Sequence, residues 1–135
     1  TKQIDNMNNN YLVEQEIIFF HKFITQWFRG ETQNREVLLD ELLKGFHPHF
    51  HMKGASGNEM SYIDFTNWLP TAFGLFPDKE ITLSDIQIFS TPNHGVAEYI
   101  ETQRPKGQTT HRKSSAIFVI ENNTPQWYHL LEEWI

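Results

Sequence analysis

The apolar residues of this chain change their spacing part-way along, and this change constrains the fold more than any other feature. From Leu12 to Arg29 they recur every three or four residues, which predicts an amphipathic helix that ends at Gly30. From Ile81 onward they alternate with period two, as in half-buried strands. Because helices come first and strands follow, the order predicts an α+β fold with helices on one face of a sheet.

The elements between these two regions follow from local signals. Ser61 and Asp64 match a capping box at the start of a third helix, and Pro70 should end or kink that helix. A break in alternation near Asp85 predicts a bulge. Turns at 104–107 and 122–125 imply antiparallel pairing of the last strands. The other predicted elements are a helix over 35–44, a strand over 46–52, and strands over 81–89, 96–103, 111–121 and 126–135.

Composition excludes several classes of function. The chain of 135 residues contains no cysteine, so disulfides, thiolate nucleophiles and cysteine-bound zinc are excluded. A net charge of -6 argues against nucleic-acid binding, although Arg104, Lys106, Arg112 and Lys113 form a small basic patch. No apolar run is long enough for a membrane span, and no signal segment opens the chain. We therefore predict a soluble, cytoplasmic single domain over 11–135 that follows a polar, frayed arm over 1–10, with no cofactor.

Three local motifs resemble one family. Arg29-Gly30-Glu31 resembles its break after the first helix, Leu42-Leu43 before 46–50 resembles its entry into the first strand, and 125–130 resembles its closing strand. Together with the order of elements, the chain resembles the nuclear transport factor 2-like superfamily, which includes ketosteroid isomerases and polyketide-cyclase-like (SnoaL-like) proteins, and especially its uncharacterised bacterial members. The resemblance implies a cone-shaped, curved, mostly antiparallel sheet wrapped around three N-terminal helices. It also implies a pocket on the inner sheet face and a homodimer through the outer face.

The steroid isomerase mechanism is not expected. It needs a carboxylate base, a tyrosine and a protonated aspartic acid. The resemblance places Gly54, Phe23 and Ala116 at these three positions, and none of the three side chains carries a transferable proton. The family fold alone does not decide function, so the pocket has to be assessed residue by residue.

The resemblance also implies which side chains face the pocket. Glu101, Arg112 and Glu132 are the charged members, and they form either a buried acid-base site or a salt bridge at an open rim. The predicted pocket residues are Phe23, Trp27, Met52, Trp68, Tyr99, Glu101, Arg112, Ser114, Ala116, Phe118, Tyr128, Leu130 and Glu132, with Phe50, Gln103 and Trp134 on the same faces.

The parity of the sheet strands stays open at this point. If the parity is reversed, the pocket holds Glu98 and His129, and His129 becomes the natural general base. Trp127 and Trp134, seven residues apart in one strand, are expected on opposite faces, with one of them toward a dimer partner.

Three histidines at period two, His47, His49 and His51, have spacing that could supply metal ligands. Same-face neighbours on a strand lie ~7 Å apart, and the opposite parity is apolar. We therefore expect a solvent-facing polar stripe and no metal site. His21, His94 and His111 carry no motif.

Three functions remain open from the sequence. The first is a pocket for a small, mostly apolar ligand in a homodimer. The second is an enzyme that transfers protons, of the isomerase, dehydratase or cyclase type, with Glu101, Glu132 or His129 (with Glu98) as acid or base. The third is a protein-interaction module with a filled pocket.

Overall fold

A computed structural model of the chain describes residues 2–104 and 107–135. It has the predicted α+β order of elements. The helices are α1 (Lys2–Arg29), α2 (Arg35–Lys44), α3 (Tyr62–Trp68) and a 3-10 helix (Leu69–Ala72), and the strands are β1 (Phe46–Lys53), β2 (Glu59–Ser61), β3 (Ile81–Ser90), β4 (His94–Gln103), β5 (Thr110–Glu121) and β6 (Thr124–Trp134). Thr1, part of the predicted arm, and Pro105 and Lys106, part of a predicted turn, lie outside the described residues.

The six strands form one curved, mixed sheet in the order β2-β1-β6-β5-β4-β3. β1 pairs with β6 in parallel, and every other neighbouring pair is antiparallel. α1 packs against β3, β4 and β6 on one face of the sheet. The core lies between α1 and this inner face, where Ile17, Trp27, Tyr99, Phe118 and Trp127 are almost fully buried.

α1 begins at Lys2, so residues 2–10 are helical and not the frayed arm that their polar composition suggests. The asparagines near its start make contacts with the far end of β3. Asn9 is buried, and its side chain donates to the Thr91 carbonyl at 2.7 Å. Ser90 donates to the side chain of Asn10. These tertiary hydrogen bonds replace water as partners for the asparagine amides, and a composition argument cannot detect them.

Several local predictions are confirmed. Ser61 caps α3 in a capping box with Asp64, and the helix gives way to the 3-10 turn at Pro70. The register of β3 shifts between Ser84 and Gln87, with Asp85 at φ 53°, as expected for a bulge. Gly30, at φ +71°, ends α1. The short strand β2 is not foreseen, because its three residues follow a loop and merge into the helix cap.

A bulge in β6 changes which residues face inward. Ile117 pairs with His129, whereas the next residue, Phe118, pairs with Trp127. Tyr128 is the extra residue, so the inward set changes parity at this point. The prediction that Trp127 and Trp134 lie on opposite faces is therefore wrong, since both line the inner cavity.

The carboxyl group of Glu16 joins α1 to strand β6. Glu16 Oε2 accepts a hydrogen bond from the Trp127 indole at 3.0 Å. Gly45 lies against the same oxygen, and a Cβ at this position would approach Oε2 to 2.8 Å. A Cβ at Gly45 would therefore displace the Glu16 carboxyl group, whereas the φ of -77° at Gly45 is one that any residue adopts. Burial raises the pKa of Glu16 to about 7, although the Trp127 hydrogen bond and the charge of Lys44 oppose the shift.

We expect Glu16→Gln to stabilise the protein at about pH 8 by roughly 1–2 kcal/mol. The folded wild type keeps a proton on Glu16 that the unfolded chain releases, so its stability falls as pH rises from 4.5 to about 7. Glutamine stays neutral and can still accept from Trp127. Urea unfolding at several pH values measures the difference. Identical pH dependence in the two proteins would contradict this assignment.

Candidate functional site

A cavity of about 610 Å³ opens between α1, α3 and the inner face of the sheet. Most of its wall is apolar and aromatic. The aromatic and aliphatic residues that line it include Phe20, Ile24, Phe28, Phe46, Phe50, Met52, Phe65, Trp68, Trp127 and Leu130. The rings of Phe46, Phe50 and Phe65 pack within 6 Å of one another, which holds this wall in a fixed shape.

The cavity ends at an ion pair between α1 and β4. His21 Nε2 lies 2.8 Å from Glu101 Oε1, and His21 Nδ1 lies 2.7 Å from the carbonyl oxygen of Ile17. Because a carbonyl only accepts, Nδ1 is the donor there, and Nε2 donates to the ionised carboxylate. Both ring nitrogens therefore carry protons, and the pair is an imidazolium against a carboxylate.

Glu101 is held in its charged form by three neighbours. Gln103 donates to Glu101 Oε2, and Arg112 Nε lies 3.8 Å from the same oxygen. Burial raises the pKa of Glu101, but the hydrogen bonds from His21 and Gln103 and the charges of His21 and Arg112 outweigh burial and lower the pKa to about 2. Glu101 is thus a permanent anion at the end of the cavity.

Glu132 behaves in the opposite way. Its side chain is nine-tenths buried in the cavity wall, and its Oε1 lies 3.6 Å from Arg112 Nη1. Burial raises the pKa of Glu132, the negative charge of Glu101 raises it further, and Arg112 only partly opposes both. The neighbouring carboxyls therefore differ in function: Glu101 keeps its charge, whereas Glu132 can take up or release a proton.

Arg112 lies between these two carboxyl groups, and its guanidinium has a hydrogen-bond donor that no described residue uses. Its guanidinium stacks over Trp134, with Cζ 4.6 Å from the ring centroid. Among the described residues, Arg112 Nε and Ser114 Oγ are buried without a hydrogen-bond partner. Buried polar atoms in native proteins almost always have a partner, and Arg112 lines the cavity, so its Nε marks a place where water or a ligand completes the site.

The structure brings together seven of the predicted pocket residues in the cavity wall. These are Met52, Trp68, Tyr99, Glu101, Arg112, Leu130 and Glu132, and the additional inner-face residues Phe50, Gln103 and Trp134 join them. Ser114, Ala116 and Phe118 face the same way but are fully buried in the layer behind the wall. Trp27 is also buried, and its indole donates to the Leu69 carbonyl at 2.8 Å.

Two predicted pocket residues lie elsewhere. Tyr128 is the bulged residue of β6 and makes an edge-to-face contact with His47 at the outer face. Phe23 is half-buried on α1, where it stacks on Phe19 outside the cavity wall. Gly54, at the position of the isomerase base, does line the cavity mouth, and it brings no side chain there.

The residues of the reversed parity lie on the outer face of the sheet. Glu98 is exposed, and His129 stacks on His51 with ring centroids 5.6 Å apart. Neither residue lines the cavity. His47, His49 and His51 also lie on this face, with His51 Nε2 3.7 Å from Glu59. Within residues 2–104 and 107–135, no three His, Asp or Glu side chains are arranged to hold a metal ion.

His21 is the site residue that sequence reasoning misses. It has no motif, but it lies four residues after Ile17 and three before Ile24, both on the buried stripe of α1. An imidazole on that stripe needs polar partners inside the fold, and this was the available signal. Its partner Glu101 lies 80 residues away, so no local pattern connects the two.

None of the helices in the described part of the chain combines the length and hydropathy that a membrane span requires. No family model and no curated protein matches this sequence.

Solved structures with the same architecture are numerous. An NTF2-like protein of unknown function from Pseudomonas aeruginosa superposes with a TM-score of 0.85 at 21% identity, covering 92% of this chain and 98% of the other. An NTF2-like protein with a cystatin-like fold from Novosphingobium aromaticivorans gives 0.72 at 7% identity, covering 96% and 83%. An NTF2-like protein from Cytophaga hutchinsonii gives 0.61 at 11% identity, covering 90% and 98%. The chain therefore has the nuclear transport factor 2-like fold that its sequence resembles.

Proposed function

We propose that this protein binds a small, mostly apolar molecule in the inner cavity. The observation that carries this proposal is the division of one cavity into an aromatic wall and a charged end. Such a division is typical of ligand sites, where apolar side chains supply contact area and a few polar groups fix the orientation. A cavity of about 610 Å³ also does not favour the alternative of a protein-interaction module with a filled pocket.

Binding of the neutral fluorophore N-phenyl-1-naphthylamine tests this proposal. We expect saturable binding that Leu130→Trp weakens about tenfold or more, because the larger ring occupies the cavity. Val37→Trp is the control, since Val37 is 56% exposed on α2 and lies outside the cavity wall. Equal loss of affinity in both variants, or no saturable binding to the wild type, would contradict the proposal.

Proton transfer is a second candidate function for the same site. The observation that favours it is the opposite shift of two neighbouring carboxyl pKa values, lowered for Glu101 and raised for Glu132. Separation of this kind lets one carboxyl stay charged while the other acts as acid or base. Glu132 would then be the acid-base group, and Glu132→Gln would abolish turnover of a substrate that the variant still binds. The pair of Glu98 and His129 has no part in this, because it lies on the outer face.

The outer sheet face supports a homodimer. Phe89, Val96, Ile117, His129 and His51 lie in register across five strands. Phe89 is 75% exposed, and Leu131 nearby is 51% exposed. Exposed apolar side chains grouped on one sheet face are typical of a protein-protein interface. Because Ile117 is central in the row, a twofold axis near it would bring the row of one subunit onto the same row of the other.

Sedimentation tests the dimer. We expect the wild type to sediment as a dimer at micromolar concentration and Ile117→Glu as a monomer, because the new charge would be buried at the centre of the interface. Val37→Glu is the control for adding a charge on an exposed apolar position of α2. A monomeric wild type would refute the dimer.

A further inference from the structure

The charged end of the cavity has more cations than permanent anions. His21 and Arg112 line it, and Lys79 donates to Gln103 at 2.8 Å directly behind it. Glu101 is the only carboxylate there that stays ionised throughout, as its pKa of about 2 requires. With Glu132 protonated, this group of side chains carries an excess positive charge of two; with Glu132 ionised, the excess is one.

One further carboxylate lines the cavity, but at the other end. Glu59 lies at the mouth on β2, is largely exposed, and faces His51 at 3.7 Å. It does not offset the cations at the inner end. The imbalance therefore belongs to the inner end, where the Glu101, Arg112 and Glu132 side chains are largely buried and an unbalanced charge is costly.

The hydrogen bonding of Arg112 gives a second, independent indication that an anion binds here. Arg112 Nε is buried and has no hydrogen-bond partner among the described residues. Its nearest carboxylate oxygens, on Glu101 and Glu132, are 3.8 and 3.6 Å from the guanidinium nitrogens, longer than good hydrogen bonds. A guanidinium with unused donors is suited to a planar, two-oxygen acceptor.

We infer that the molecule bound in this cavity is a carboxylate with a flat, apolar body, and that the ligand carboxylate pairs with Arg112 and accepts a hydrogen bond from the protonated carboxyl of Glu132. This inference rests on the proposed function, because it names the class of ligand for the same cavity. The apolar body then lies on the wall formed by Phe46, Phe50 and Phe65. Binding takes up a proton at any pH at which Glu132 is ionised in the free protein, since Glu132 has to be protonated to act as the donor.

Other polar groups fit the site less well. An ammonium group would pair with Glu132 only when Glu132 is ionised, and it would raise the excess positive charge beside His21 and Arg112 from one to two. A neutral carboxamide could bridge Arg112 and an ionised Glu132, but it would leave the excess charge uncompensated. The charged and titratable groups that face Glu132 are His21 from α1, Tyr99 and Glu101 from β4, and Arg112 from β5. Two of them are cations and only Glu101 is an anion, which favours an anionic ligand.

Three probes with the same ring separate these possibilities. We would measure the affinity of the wild-type protein for 2-naphthoate, 2-naphthamide and 2-naphthylmethylamine by calorimetry. We expect 2-naphthoate to bind at least tenfold more tightly than either of the others, and to take up protons when buffers of different ionisation enthalpy are compared. Its affinity should fall as pH rises, because Glu132 then loses the proton that it donates.

Single variants test the roles of Arg112 and Glu132 in binding the carboxylate. Arg112→Met should reduce the preference for 2-naphthoate over 2-naphthamide at least tenfold, and Glu132→Gln should abolish proton uptake. Lys113→Met is the matched control, since Lys113 is the exposed neighbour of Arg112 on the opposite face of β5. It should leave the preference unchanged. Because the wild-type comparison needs no variant, a poorly folded Arg112→Met would not prevent a decision.

The outcomes distinguish this inference from the proposed function. Tighter binding of the amide or the amine, with cavity binding intact, would contradict the inference that the ligand is a carboxylate. It would not contradict the proposal that the cavity is the ligand site. An equal loss of preference in Lys113→Met would also overturn it. Failure of all three probes and of the neutral fluorophore would overturn both.

Discussion

Replacing Glu101 by leucine is expected to destabilise the fold by about 3–5 kcal/mol. Glu101 is 5% exposed and is the direct partner of the His21 imidazolium at 2.8 Å. Without its charge, His21 would lose its partner, and Arg112 would keep only its longer contact with Glu132 at 3.6 Å. Removing one partner of a buried ion pair leaves the other without its compensation, which accounts for the size of the effect.

Guanidinium chloride unfolding measures this loss, and two further variants define its cause. Glu98→Leu removes an exposed carboxylate from the outer face of the same strand and should change stability by less than about 0.5 kcal/mol. The double variant His21→Leu with Glu101→Leu should be clearly less destabilised than the sum of its single variants. Additive effects, or equal effects at Glu101 and Glu98, would show that the buried pair is not coupled.

Trp127→Ala is the second change with a large expected effect, a loss of about 3–5 kcal/mol. Trp127 is 1% exposed, and its ring packs between α1, β1 and β5. Phe118, Phe20 and Phe46 lie with ring centroids 4.5, 5.3 and 5.8 Å from it. Alanine would leave a cavity among these rings and would remove the donor to Glu16.

Trp134→Ala is the matched control in the same strand. Trp134 also lines the binding cavity but is 48% exposed, so its removal creates no enclosed void. We expect Trp134→Ala to destabilise the fold by no more than about 1 kcal/mol in thermal or denaturant unfolding. Equal effects of the two alanine variants would contradict the assignment of Trp127 to the core.

Much of the fold could be predicted because its signals are local. The helical period of residues 12–29, the capping box at Ser61 and the break at Asp85 each lie within a few residues of one another. The inward parity of Glu101 and Arg112 was implied by the resemblance to the family, with the reversed parity left open. The local features depend on backbone geometry, which a short stretch of sequence determines.

The remaining features depend on contacts between distant residues. The bulge at Tyr128 reversed the parity of the last strand, and nothing in its local sequence distinguishes it from a regular position. The bond between His21 and Glu101 joins α1 to β4, so His21 looked like an isolated histidine. The helical start of α1 depends on Asn9, whose partner Thr91 lies beyond β3. Each of these needs the folded chain to become visible.

The charged end of the cavity also shows why fold and chemistry have to be argued separately. The isomerase positions are empty of acid and base, because Gly54 brings no side chain and Phe23 and Ala116 lie outside the cavity wall. Ionisable groups nevertheless line the cavity, from other positions on α1, β4, β5 and β6. The same fold therefore carries a different polar arrangement here, with Glu132 as its titratable group.

The central claim is that the inner cavity is the ligand site, and methionine methyl groups report on it directly. Met52 and Met60 both line the cavity. In protein with ¹³C-labelled methionine methyl groups, assigned by Met52→Leu and Met60→Leu, we expect N-phenyl-1-naphthylamine to shift both resonances and to show nuclear Overhauser effects between its rings and both methyl groups. Saturable binding of the fluorophore with neither methyl resonance affected would place the ligand elsewhere and contradict the account.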